Sequence, residues 1–412
     1  MSNRPLNALI IGGGIAGPAT AMALHQAGIG SVIYEANQTS ADDEGSFLTL
    51  AANGINALRI IRAEQPAIAA GFETPGMILW SGTGKRLGSA ILSMTLDDGT
   101  TGYTMKRADL YAAIRNQALG RGLRIEYGKR LVGVANENGG VRATFADGSE
   151  AIGDLLIGCD GIHSVVRRLI DVHAPAPTYA GLIGLGGFAH GVEVNAEVGT
   201  YHMIFGKRAF FGYALAPNGE VWWFANVPQP QEPTRGALAS LSSAAWQAKL
   251  SDMFADDAGP AARLIQATSH LPPPTPIHTL PHLPRWHSER MIVIGDAAHA
   301  PSASSGQGAS ISIEDAVVLG KCLRDQPDPE HAFVAFEQLR RPRVERIIKA
   351  ALRVNNSKAA TGVARVIRDL TLPLILKLTA NSGSAKEVFG YRVDWGSSAS
   401  TVGDEGRQLV NV

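Results

Sequence analysis

Gly12, Gly14 and Gly17, within the run IGGGIAG at 11–17, follow a short apolar stretch at 8–11 and precede a helix-compatible one at 19–26. A strand, a tight turn and a helix are the expected structures. Each glycine has its own reason to lack a side chain: one permits the turn, one lets backbone approach a pyrophosphate, and one lets helix lie close on strand. The start of that helix offers free N–H groups and the positive end of the helix dipole to a phosphate. A second strand at 32–34 ends at Glu35, eighteen residues past Gly17 (35 − 17), where a carboxylate can accept hydrogen bonds from a ribose. That favours an adenosine dinucleotide over FMN. Taken singly, the fingerprint also suits a Gly-rich turn in an ordinary βα unit with Glu35 merely exposed.

At 412 residues the chain exceeds one typical core, so two domains are expected. Its 37 basic and 37 acidic residues leave no overall pull toward nucleic acid or an anionic membrane. Cys159 and Cys322 are the only cysteines, and neither sits in a CxxC or Cys/His cluster. This argues against a disulfide scaffold, structural zinc and a redox dithiol, and fits a reducing cytoplasm. The apolar start at 8–24 could pass for a signal peptide, but its glycines match the nucleotide turn and no cleavage-type region follows. It is expected to be core strand and helix.

The order of elements predicts an α/β protein with a Rossmann-like nucleotide domain, an inserted antiparallel-sheet substrate domain and a helical C-terminus. The expected boundaries are 1–75, 100–174 and 285–345 for the discontinuous nucleotide domain, 76–99 and 175–284 for the insert, and 346–412 for the C-terminal segment. Strand and turn character at 77–87 leaves the first domain, and 106–119 returns as an amphipathic helix. Hairpin-like runs follow at 124–134 and 141–145. From 175 to 228 the strand candidates become aromatic-rich, at 201–205, 209–214 and 221–225. A helical stretch at 238–254 and a proline run at 272–284 then lead to a buried strand at 291–294. Gly184, Gly186 and Ala189 spell a second GxGxxA, but no helix-compatible run follows, so a glycine-bearing strand is the expected reading. Near the C-terminus, Phe333, Phe336 and Leu339 have helical spacing and Pro342 is expected to bend the helix. The apolar run at 363–378 contains Arg365, Arg368, Asp369, Pro373 and Lys377, which disqualify it as a membrane span; packing on the body or a partner is preferred over a membrane-surface role.

Two further segments narrow the ligand: CDGIHSVVR at 159–167 and GDAAHAPSASSGQGASISIEDA at 295–316. The strand at 291–294 delivers Gly295 and Asp296 at its carboxyl end, where open α/β sheets place ligands, and Asp296 is expected to bind cofactor hydroxyls. Gly306, Gln307 and Gly308 form a permissive loop. From Ala309 to 320 the chain looks helical, with Glu314 and Asp315 inside. Such a helix would aim its N-terminal N–H groups at the pyrimidine edge of a flavin, where reduction places negative charge. The three segments in this order read as one FAD site.

These residues carry a resemblance. GGGIAG with Glu35, the DG segment, and GDAAH followed by GQG and EDA are similar to the single-component FAD aromatic hydroxylases, the group containing p-hydroxybenzoate and salicylate hydroxylases. The resemblance spans roughly residues 7 to 345 and is strongest at the three motifs. It implies FAD as cofactor, NADH or NADPH as reductant with no separate domain for it, dioxygen as co-substrate, and a small aromatic or polycyclic substrate. It also implies that Arg107 contacts FAD, that Asp160 and Arg167 are associated with flavin and nicotinamide nucleotide, and that Asp296 contacts the ribityl chain. Two positions depart from the family pattern: Ala36, where many members carry arginine, and Ala303, where many carry proline.

The chemistry the resemblance implies is oxygen transfer through a flavin C4a-hydroperoxide, which needs water kept out but no Ser/His/Asp or paired-carboxylate machinery. Tyr201, His202, Phe205, Phe210, Phe211, Tyr213, Trp222, Trp223 and Phe224 cluster in the expected substrate sheet. Strand alternation lets only about half of them face a ligand. His202 and Tyr213 are candidates to deprotonate a phenol, each against the plainer reading of a packed residue. His299 is expected to be structural. Hydroxylation is the first expectation and epoxidation the nearest alternative. A flavin halogenase lacks support because WWFANVP at 222–228 does not match WxWxIP, and a non-catalytic FAD-binding sensor remains the alternative from another class.

Overall fold

The computed structural model describes residues 6–40, 46–137, 139–234, 236–302, 305–358, 362–379 and 384–399. Its centre is a five-stranded parallel sheet in the order Met291–Val293, Leu155–Gly158, Asn7–Ile11, Gly30–Tyr34, Arg124–Glu126. Residues 8–11 and all of Leu155–Gly158 are buried, as befits strands covered on both faces. The helix Ala16–Gln26 buries nine consecutive residues, Ala16 to Leu24, between that sheet and the helix Gly308–Asp325. One continuous core joins these elements to the helix Pro329–Lys358, which runs through Pro342.

The run at 124–134, expected as one arm of a hairpin, is divided. Arg124–Glu126 ends the parallel sheet, Gly128 turns the chain at φ +72°, and only Leu131–Glu137 pairs antiparallel with Gly140–Phe145. The stretch at 238–254 is likewise split: a single 3-10 turn at Leu238–Ser240 precedes the helix Ser243–Met253, where Ser242 Oγ accepts from the Ala245 N–H.

A second sheet of seven strands has the order Thr275–Thr279, Thr178–Ala189, Val221–Pro228, Phe210–Leu215, Thr200–Phe205, Gly76–Ser81, Arg86–Ile91. Its pairs are antiparallel except one: Thr200–Phe205 runs parallel to Gly76–Ser81, because the two strands come from separate passes of the chain. Gly184, Gly186 and Ala189 all lie within Thr178–Ala189, so GxGxxA is strand here and no second nucleotide turn. A small sheet, Phe47–Leu50, Tyr103–Lys106 and Gly71–Glu73, bridges the two large ones. Among the described residues no helix is long and apolar enough to cross a membrane.

Candidate functional site

The nucleotide end is built from backbone. Gly12 sits at φ +107°, and a Cβ there would stand 2.4 Å from the Cys159 carbonyl oxygen; its N–H donates to Tyr34 O at 2.9 Å. A Cβ on Gly17 would fall 1.9 Å from the Gly12 carbonyl oxygen, so helix and strand touch there. Gly14 differs. A Cβ on it would meet no protein atom within 4 Å, which leaves open space over the start of Ala16–Gln26, the size of opening a pyrophosphate needs. Beside it the Gly13 N–H donates to Glu35 Oε2 (2.6 Å) and the Asn37 N–H to Glu35 Oε1 (2.9 Å). Two backbone donors thus fix the carboxylate at the carboxyl end of Gly30–Tyr34, with lone pairs left for a ribose diol.

The parallel sheet brings the other two segments to the same end. Asp160, just past Leu155–Gly158, accepts from Ser164 Oγ (2.6 Å) and from the Val165 (2.7 Å) and Val166 (3.1 Å) N–H groups at the start of the helix Val165–Ile170. Burial pushes its carboxyl up, and these hydrogen bonds oppose the shift. Arg167 is buried and donates to the Ala297 (3.0 Å) and Ile162 (2.8 Å) carbonyls, tying the DG loop to the GD loop. Its Nη1 and Nη2 donate to these carbonyls, while the buried Nε has no partner among the described residues.

Asp296 lies in the 3-10 turn Gly295–Ala297 that follows the strand Met291–Val293. Among the described residues no donor reaches its carboxylate; burial raises its proton affinity, with His299 and Arg107 opposing. An acceptor of this kind fits a sugar or ribityl hydroxyl. Arg107 opens the helix Arg107–Gly120, its N–H donating to Ser46 O (2.9 Å) and its Nε to Tyr111 Oη (2.8 Å). It is solvent-exposed, yet the Asp296 carboxylate is near enough to act on it, as expected of a group on a cleft wall. Gly306, at φ +60°, and Gln307 lead into Gly308–Asp325, whose first residues Gly308 and Ala309 face the same end; the buried Gln307 Nε2 has no partner among the described residues. Ala303 lies outside the described residues.

Sequence reasoning placed Glu314 and Asp315 in a helix but missed what holds them. Asp315 Oδ2 accepts from the Gly295 N–H (2.9 Å) and meets His299 Nε2 (2.6 Å), while Oδ1 accepts from Arg340 Nε (2.7 Å). Glu314 accepts from Arg343 and from Asn53 Nδ2 (2.6 Å), and pairs with Arg340 at 2.7 Å. All of these side chains are buried. Burial by itself would raise the Asp315 carboxyl, but His299 and Arg340 outweigh it and hold it down to about 2. The signal was present: two acids inside an apolar helix, and RRPR on the helix that follows.

The seven-stranded sheet has two unlike faces. Tyr201, Met203, Phe205, Phe210 and Phe224 share the front, on which Phe47 of the small sheet packs. The Tyr201 hydroxyl lies 3.1 Å from Thr104 Oγ1 and 3.4 Å from Thr49 Oγ1, and burial pushes its pKa up to about 12. Trp222 is also on this side, 5.5 Å from the Phe47 ring. Phe211, Tyr213 and Trp223 point to the back, against the helices Ser243–Met253 and Ala261–Gln266, and His202, opposite Tyr213, shares that face. The strand register puts both candidate bases, His202 and Tyr213, on this face. Period-2 alternation turns both away from the small sheet that leads to Arg107, His202 accepting from Trp80 Nε1 (3.2 Å) and stacking on Tyr213. Burial lowers the His202 pKa and raises that of Tyr213 to about 12.

A glycine turn at a helix start, a carboxylate held by two backbone N–H groups and an aspartate with no donor among the described residues, all at one end of a parallel sheet, have the form of a dinucleotide-binding site. Residues 6–351 match the family described as an FAD binding domain, and the chain belongs to it. The FAD-dependent urate hydroxylase of Klebsiella pneumoniae is 29% identical over 352 residues, 84% of this chain and 88% of that protein. Salicylate hydroxylase of Pseudomonas putida is 28% identical over 413 residues, 94% and 91% of the two chains. The solved structure of Klebsiella pneumoniae HpxO with FAD and uric acid superposes with a TM-score of 0.80 at 25% identity, covering 93% of this chain and 96% of that one. The protein is an FAD-dependent monooxygenase.

Proposed function

We propose that the enzyme hydroxylates a flat aromatic or polycyclic small molecule lying between the front of the seven-stranded sheet and the start of Gly308–Asp325, with NADH or NADPH as reductant and dioxygen as co-substrate. The observation that carries this is the aromatic front wall, from Tyr201 to Phe224, joined through Phe47 and Thr104 to the strand Tyr103–Lys106 that leads into Arg107. The named substrates of the relatives, urate and salicylate, have the same flat shape.

In this reading residues 76–99 and 175–284 serve the substrate, while Glu35 holds the ribose, the start of Ala16–Gln26 the pyrophosphate, and Asp296 and Arg107 the middle of the dinucleotide. Asp160 and Arg167 shape the loops around them. Bound FAD supplies the redox chemistry, taking a hydride from the nicotinamide donor and activating dioxygen. The chain supplies orientation and dryness. The tilted and edge-on rings of the front wall give a planar substrate apolar contact, and the wall excludes water that would otherwise divert activated oxygen. Asn226, buried on the front beside Phe210, has its Nδ2 donating only to the neighbouring Ala225 carbonyl at 3.3 Å, and is the polar group we assign to orienting the substrate. Tyr201 keeps its proton at working pH and serves as a neutral hydrogen-bonding group.

The test is turnover of phenols, indoles and polycyclic aromatics under labelled dioxygen, read by mass spectrometry beside NAD(P)H consumption. One labelled oxygen in an aromatic product supports the proposal. NAD(P)H oxidation that no aromatic accelerates, with no label incorporated, overturns it.

A further inference from the structure

The net charge of zero hides an uneven distribution. Between Arg346 and Arg392 the sequence holds nine lysines and arginines against two acids, Asp369 and Glu387, an excess of seven positive charges. Arg346 pairs with Glu387, Arg368 with Asp369, and Arg392 with Asp98 from elsewhere in the chain; counting Asp98 as well still leaves six. Lys349 and Lys386 are exposed.

Within this segment lies the helix Gly362–Thr379. Its Leu372 and Leu376 pack on the front cluster of the seven-stranded sheet, Gly88 of the edge strand leaving room for Leu376, and the Arg368 guanidinium lies 4.4 Å from the Phe205 ring centre. The other side should be polar if it faced only water. Instead Ile367, Leu370 and Leu374, at i, i+3 and i+7, are 56%, 68% and 62% exposed and share one face. An outward apolar stripe of this kind marks a contact surface.

We propose that the helix Gly362–Thr379 docks in the plane of an anionic lipid surface, Ile367, Leu370 and Leu374 entering the apolar boundary while the net positive charge of this stretch of sequence favours anionic headgroups. Charge selects this occupant. A second copy docking through the same face would bring two strongly cationic segments together, whereas an anionic bilayer attracts them. The helix is not apolar enough to span, so it lies flat. Because the same helix covers the outer end of the aromatic front wall, docking also sets the rim of that wall at the lipid surface; this consequence alone rests on the substrate reading above.

The experiment is co-sedimentation of the full-length, FAD-loaded enzyme with vesicles of phosphatidylcholine alone and of phosphatidylcholine with phosphatidylglycerol. Binding to the anionic vesicles at least about ten-fold tighter, and weakening as salt rises, is expected. Leu370→Asp with Leu374→Asp should release the enzyme, and the milder Leu374→Gln should bind between the two, with FAD content and turnover of a water-soluble phenol unchanged. Absence of binding to anionic vesicles, or full binding by the double variant, overturns the proposal. So does a dimer in light scattering that the double variant converts to monomer, which would give the stripe to a second copy. Vesicle binding is read without turnover, so a failure of the substrate reading leaves this result standing.

Discussion

At the scale of single residues, Gly14 and Gly17 separate folding from cofactor binding. Gly17→Ala places a methyl 1.9 Å from the Gly12 carbonyl oxygen, so the strand-turn-helix unit must open, and the variant is expected to lose both thermal stability and flavin. Gly14→Ala meets no protein atom; its apo stability should stay within about 0.5 kcal/mol of wild type while FAD affinity falls about ten-fold or more. Melting curves of apo-protein beside flavin fluorescence quenching read the two effects separately. On the substrate side, His202→Gln and Tyr213→Phe alter only the back of the sheet, and kcat/KM is expected to stay within about three-fold of wild type. Asn226→Leu should lower kcat/KM by about ten-fold or more with FAD binding intact, because the front wall then has no amide to orient the substrate. Steady-state assays on whichever phenol is accepted check both.

At the scale of elements, Gly308–Asp325 is held by charge as much as by apolar contact. Arg340 bridges Glu314 and Asp315 with no exposure at all, so Arg340→Met leaves two buried carboxylates short of a partner and is expected to destabilise by about 3–5 kcal/mol in denaturant melts. The same group sets an acid limit. Asp315 is held down to about 2, below the usual carboxylate range, so its contribution is fully present above the unfolded-state value and is lost as pH falls from about 4 toward 2. Stability measured against pH should show that loss, and Asp315→Asn should flatten it. Motifs made the strand-turn-helix at Gly12, the helix at Arg107 and the strand before Gly295 legible, because each rests on local backbone chemistry. The Glu314–Arg340 contact was not, since it joins residues far apart and only the fold says which arginine meets which acid. The division of 124–134 at Gly128 was lost because a single turn glycine is weak against a longer strand-like pattern.

At the scale of the whole molecule, the parallel sheet gathers three distant segments at one end, and the second sheet presents its aromatic front to that end through Phe47 and Tyr201. Which aromatics faced front depended on register, and a one-residue shift exchanges the faces; this is why His202 and Tyr213 could not be told from Tyr201 and Phe205 in the sequence. With those two turned away, no described front-wall strand residue is a base near neutral pH, so the rate is expected to follow the substrate's own ionisation. Substrates of lower phenol pKa should move the pH profile to lower pH by a similar amount; a profile fixed across substrates would point to an enzyme base instead. If the segments around Gly14, Asp160 and Asp296 enclose one FAD, titration of apo-enzyme with FAD reads it out. One FAD per chain is expected, with weaker binding in Gly14→Ala and in Asp296→Ala. A colourless protein that takes up no FAD, or a Gly14→Ala variant that binds it as tightly as wild type, would contradict the account.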